Sequence, residues 1–162
     1  MMVRKLAGVA LVLLALADVM VAGAQVEPRV IMVPEKDPAM AAAIAQGRAT
    51  LSRFWQTLEK PQPGEKGFAL KVALPTGSGG AEHIWTDQIE RKEGKIFGTI
   101  NNVPKDLKDI RFGQRIEVPE PLISDWMYQR SGKIVGGYTI RALLPRLSRD
   151  EAARLRAMLA EP

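Results

Sequence analysis

His83 is the only histidine in the chain. An imidazole titrates near neutral pH, so it is the side chain best suited to take up or release a proton under physiological conditions. It stands in the run Glu82-His83-Ile84-Trp85-Thr86-Asp87, with carboxylates on both sides. A second concentration of reactive residue types is Ile123 to Arg141, where Asp125, Trp126, Tyr128, Gly136-Gly137, Tyr138 and Arg141 surround the turn Ser131-Gly132-Lys133. These types support two chemistries. In one, His83 is the general base of a hydrolase, oriented by Asp125 or Glu82. In the other, Glu82, His83, Trp85, Asp125, Trp126, Tyr138 and Arg141 form a ligand- or partner-binding surface. The aromatic rings there offer apolar area with a polar tip, and the guanidinium matches a carboxylate in bidentate geometry. Asp125 and Arg141 are expected to pair, or to share one polar cluster near Glu82-His83.

The spacings of known catalytic motifs are missing. H-E-x-x-H and G-x-S-x-G do not occur. Pro75 to Gly80 is glycine-rich but lacks the GK[ST] ending and the following helix of a phosphate loop. The chain has no cysteine, which excludes haem-thiolate, iron–sulfur and cysteine–zinc chemistry. A lone histidine cannot make a histidine-rich metal site. The expectation is a non-catalytic binding module with no metal and no cofactor.

These residues need elements to carry them. Arg29 to Val33 is a short β-like run. Asp37-Pro38 has the form of a helix N-cap followed by proline in the first turn. Met40, Ile44, Gly47, Leu51, Phe54 and Leu58 recur at three- and four-residue spacing, so one long helix from Pro38 to about Leu58 is predicted. Phe68 to Leu74 alternates as a strand, with Lys71 pointing away from the apolar side. Further strands are predicted over Glu82 to Arg91, Lys95 to Asn101, Gln114 to Val118, Leu122 to Arg130 and Lys133 to Arg141, with one helical turn over Lys105 to Ile110. On strand alternation His83, Trp85 and Asp87 share one face, and Glu82, Ile84 and Thr86 the other. Ser148 and Glu151 make a capping box for a short final helix. Helix, antiparallel strands, helix is an α+β order. It predicts a bent antiparallel sheet of about five or six strands with the long N-terminal helix on one face.

The first 24 residues read differently. Arg4 and Lys5 precede the apolar run Leu6 to Ala17, and Ala22-Gly23-Ala24 has the form of a signal-peptidase site. Asp18 interrupts the run before it reaches the roughly 20 apolar residues of a membrane span. The reading is a leader over 1–24, cleaved after Ala24, and a single domain over 25–162 that is periplasmic or secreted and not stably inserted in a membrane. The formal charge is +5, and loss of Arg4, Lys5 and Asp18 lowers it by one. Its basic residues are dispersed, which argues against nucleic acid as a partner. An envelope protein or small ligand is expected instead, with the protein a monomer or weak oligomer.

Several stretches carry a family resemblance. Glu82-His83-Ile84-Trp85, Phe97 to Asn101 leading to Pro104, Gly113 before a β-run, Ile123 to Tyr128, and Gly136-Gly137-Tyr138-Thr139-x-Arg141 resemble the YegJ-like bacterial family, a domain of unknown function. The resemblance runs from about Asp37 to the final helix, with no departure at those positions. It implies a small α+β domain of bacterial origin with a core over about 37–160. It implies no activity and no catalytic residues.

Overall fold

The computed structural model describes residues 8–12, 30–34, 36–77 and 79–161. The sheet is built on two long neighbours, β3 (Glu65–Pro75) and β4 (Ala81–Lys92), paired antiparallel with Lys71 opposite Trp85 and Ala73 opposite His83. β5 (Lys95–Ile100) and β6 (Arg115–Glu117) continue from the second half of β4. On the other side, β7 (Ile123–Arg130) pairs with β3, and β8 (Lys133–Gly136) closes that side. Register shifts at Lys66/Ala69, Lys71/Val72 and Asp87/Glu90 bend the sheet.

Two more strands lie beyond the first half of β4. β1 (Gly8–Val12) pairs antiparallel with β2 (Val30–Pro34) and meets β4 in parallel at Leu11 opposite His83. That makes eight strands among the described residues, against the five or six expected. β1 falls within the expected leader; the rest of that segment, with the cleavage site at Ala22 to Ala24, lies outside the described residues.

The expected single N-terminal helix is two, α1 (Pro38–Ala49) and α2 (Leu51–Glu59). Asp37 caps α1 as expected, its Oδ1 accepting from Met40 N at 2.8 Å. The break at Thr50 follows from competing hydrogen bonds. An uninterrupted helix would bond Leu51 N–H to the Gly47 carbonyl. Here that carbonyl accepts from Trp126 Nε1 at 3.0 Å and from Thr50 Oγ1 at 3.3 Å, while Thr50 Oγ1 also donates to Gln46 O at 2.8 Å. Side-chain bonds of this kind compete with the helix ladder.

Helices cover both faces of the sheet, where one face was expected. α2 brings Leu51, Phe54 and Trp55 onto Leu70, Val72, Trp126 and Tyr128. On the opposite face Ala69, Trp85, Met127 and Ile134 pack with residues of α3 (Tyr138–Leu143) and α4 (Arg149–Met158). The second arm of the expected hairpin is therefore short: β8 ends at Gly136, and Tyr138 to Arg141 is helix. Gly136 and Gly137 both have positive φ, +78° and +62°. A Cβ on Gly136 would lie 2.4 Å from the Trp126 carbonyl oxygen, so the chain turns here only with glycine. Lys105 to Ile110 forms turns, not the expected helical turn. α4 has the expected capping box between Ser148 and Glu151.

Candidate functional site

The residues singled out by sequence divide into four environments. Glu82 is buried, and its two carboxylate oxygens accept from the backbone N–H groups of Lys105 and Asp106, each at 2.8 Å. It clasps the loop after β5 to the start of β4 and makes no bond to His83. Trp126 lies on the α2 face, stacked on Tyr128 at 5.9 Å with Tyr138 edge-on at 5.8 Å. Its Nε1 is the group that interrupts the N-terminal helix.

The third environment holds His83, Trp85 and Asp125. Lys71, Trp85 and Asp125 are directly opposite one another across β4, β3 and β7, so their side chains share a face. Asp125 is fully buried and accepts four bonds. Oδ1 takes Trp126 N at 2.8 Å and Tyr138 N at 3.2 Å, while Oδ2 takes Thr139 N at 2.7 Å and Thr139 Oγ1 at 2.6 Å. Lys71 Nζ donates to Thr139 Oγ1 at 3.0 Å, so one hydroxyl links ammonium to carboxylate. The ammonium also lies 5.0 Å from the centre of the Trp85 ring.

Arg141 is absent from this set. Its guanidinium donates to the carbonyls of Gly136 at 3.1 Å and Ala160 at 2.8 Å. The expected Asp125–Arg141 pair is thus replaced by Lys71–Thr139–Asp125. The physical reason is the change from strand to helix at Gly137. Helical phase carries Arg141 toward the C-terminal tail and brings Thr139 to the carboxylate.

His83 Nδ1 lies 2.8 Å from Ser124 Oγ, which also donates to the Lys71 carbonyl at 3.3 Å. Ser124 is the extra residue of the β7 bulge, between the pairs Lys71–Asp125 and Val72–Ile123, and this brings its hydroxyl to the ring. Burial first, then the positive charges of Lys71 and Arg48, push the His83 pKa down to about 4. The imidazole is neutral at physiological pH and a weak base. Burial likewise lowers Lys71 to about 8, against the pull of Asp125. Asp125 is pushed up by burial, opposed by Lys71 and by its hydrogen-bond donors. A proton on either oxygen would face an N–H or O–H, so this environment is built for the carboxylate. Among the described residues no three His, Asp or Glu side chains gather as a metal cage.

Sequence reasoning missed Lys71, Thr139 and Ser124. The signal for Lys71 was present: one lysine in an otherwise apolar strand, on the side read as facing away from the core. That side is covered by α3 and α4, and the cover was not legible from β3 alone. Arg48 was missed too. It donates to the Ile123 and Pro121 carbonyls at 2.9 and 3.2 Å, fastening α1 to the start of β7.

Comparison with known proteins finds relatives by sequence. A family model described as "Uncharacterized protein conserved in bacteria (DUF2314)" matches residues 37–159. The chain is 36% identical over 121 residues to the "Uncharacterized protein YegJ" of Escherichia coli strain K12, covering 75% of this chain and 77% of that protein. It is 31% identical over 127 residues to a "Putative ankyrin repeat protein NMB1133/NMB1171" of Neisseria meningitidis serogroup B, covering 74% of this chain and 50% of that protein. No solved structure matches the chain.

Proposed function

We propose, from the premise that this chain belongs to the bacterial DUF2314 family, that it is an exported, non-catalytic binding or interaction module of the cell envelope. The observation that carries this reading is the closure of its polar centre. His83, Ser124, Asp125 and Lys71 are all buried, and their bonds run to one another, to Thr139 or to backbone. A general base must reach the proton it abstracts in a bound substrate. The neutral, enclosed His83 is better explained as part of the frame. The frame fastens α3 to the start of β7, and at the far end of that strand the β7–β8 turn exposes Arg130, Ser131 and Lys133. The relative named for ankyrin repeats matches over half its own length. Repeat solenoids are binding scaffolds, which agrees with a binding role for a domain found in such a chain.

A specific contact favours the second reading, an envelope hydrolase with His83 as base: the 2.8 Å approach of Ser124 Oγ. The orienting carboxylates proposed for it, Asp125 and Glu82, are engaged with α3 and with the loop after β5. One experiment separates the readings. Immobilised protein 25–162 offered envelope extract is expected to retain a partner that free protein displaces, and a folded His83→Gln variant to retain it equally. Ester or amide hydrolysis that disappears in both His83→Gln and Ser124→Ala, with folding intact, would replace this reading by the hydrolase. Export has its own check: the periplasmic form should begin at Gln25 on N-terminal sequencing, and full-length chain in the membrane would overturn it.

A further inference from the structure

The end of the β7–β8 hairpin forms one wall of a groove of about 540 Å³, with α2, the end of α4 and the C-terminal tail as the others. Four basic side chains line it, Arg53, Arg130, Lys133 and Arg156, against one acid, Glu161. They come from α2, the β7–β8 hairpin and α4, three regions far apart in sequence, so folding alone gathers them. The dispersed basic residues of the sequence conceal the cluster.

The four cations are not equivalent. Arg130 is paired with Glu65 and also donates to Tyr128 Oη at 2.8 Å. Lys133 Nζ donates to the Ala157 carbonyl, which ties the hairpin to the end of α4. Arg53 and Arg156 are exposed, and among the described residues neither guanidinium makes a hydrogen bond or ion pair. Two cations are thus fixed as walls and two are free to engage a ligand. The tail that completes the groove is itself pinned: Ala160 N donates to the Ile134 carbonyl at 2.8 Å, and Arg141 holds the Ala160 carbonyl. The tail wall is therefore fixed before any ligand arrives, which lowers the ordering cost of binding.

We infer that this groove binds a phosphate-bearing anion, with Arg53 and Arg156 as the contacting forks and Arg130 and Lys133 setting the positive field. A planar guanidinium presents parallel N–H donors that match phosphate oxygens, and two such forks suit a ligand with more than one charge. The inference rests on the binding-module reading and gives it a place and a ligand chemistry. The phosphate has two candidate sources, a soluble phosphorylated molecule or the headgroup of an anionic phospholipid.

The test uses the full chain, inorganic pyrophosphate as the soluble probe, and vesicles of phosphatidylglycerol with phosphatidylcholine as the lipid probe. Calorimetric titration and vesicle sedimentation are each run on wild type, on Arg53→Ala/Arg156→Ala and on a distant control, Lys108→Ala. Binding to at least one probe, weakened tenfold or more by the double substitution and unchanged by the control, is the expected result. Pyrophosphate binding without vesicle binding assigns a soluble ligand, and the reverse assigns a headgroup. No binding to either probe, or binding that the control weakens as much as the double variant, overturns the inference. Because both arginines are exposed, the variants should melt with wild type. A partner retained from envelope extract equally by wild type and double variant would sink the groove while leaving the binding-module reading standing.

Discussion

The two faces of the sheet are stabilised by different physics. On the α2 side, rings do the packing: Phe54 lies 5.9 Å from Trp126, and Phe68 stacks on Tyr128 at 5.2 Å. On the side covered by α3 and α4, an apolar rim of Ala69, Trp85, Met127 and Ile140 encloses Lys71, Thr139 and Asp125, with His83 and Ser124 beside them. Hydrophobic burial is non-directional, so the first face tolerates rearrangement of similar volumes. The second does not, because the Lys71, Ser124 and Thr139 donors each have a named acceptor. The comparison teaches that the reactive residue types of this chain are concentrated on the face that requires a single arrangement.

The largest effect should come from Asp125→Ala. It leaves Lys71 without a counter-charge and four donors without an acceptor, and buried pairs broken on one side cost about 3–5 kcal/mol. Urea denaturation measures this, and a loss below about 1 kcal/mol would mean the two faces do not differ as described.

A loss of about 3 kcal/mol is expected on acidification, read through His83. Unfolded, its pKa is about 6.5; folded, it is lowered to about 4, so between these pH values the unfolded state binds more protons. This contribution leaves stability intact above pH 6.5 and erodes it as pH falls toward 4. In His83→Gln that part of the slope should vanish. Identical profiles for variant and wild type would show that the imidazole is not held neutral.

Arg141→Ala sharpens the comparison at its edge. It removes bonds to two carbonyls but strands no buried charge, so about 1–2 kcal/mol is expected. In a double-mutant cycle its coupling to Asp125 should stay within about 0.5 kcal/mol, the additivity limit for residues without shared partners. Strong coupling would restore the direct pair expected from the sequence. The smallest effect, about 1 kcal/mol, belongs to Phe54→Leu on the aromatic face, where neighbours can close around a smaller apolar side chain. Its thermal midpoint should fall far less than that of Asp125→Ala.

What the sequence made legible was local. Alternation located β3, β4, β5 and β7 to within a few residues, and side-chain chemistry located the caps at Asp37 and Ser148. The break at Thr50 was not legible, because the acceptor that interrupts the helix is taken by a residue of β7. The end of β8 was missed for a related reason. Only the Trp126 carbonyl beneath Gly136 decides that the chain leaves the sheet there. Placing Asp125 with Arg141 followed from strand phase, and a helix one residue after Gly137 changes the phase. The polar centre is made of such long-range decisions, so its members were visible one at a time but not as a set.

The interrupted N-terminal helix has a consequence for the order of events during folding. Its alanine-rich first half favours helix on local grounds, and short helices form within about a microsecond. The bond that breaks it reaches back from Trp126 across 79 residues of chain. A contact between positions 79 residues apart carries a high loop-closure cost and is expected to form late, and a contact made after the rate-limiting step acts on the rate of escape from the native state. Trp126→Phe should then hasten unfolding while leaving the folding rate nearly unchanged, which makes one indole N–H a latch on the lifetime of the fold.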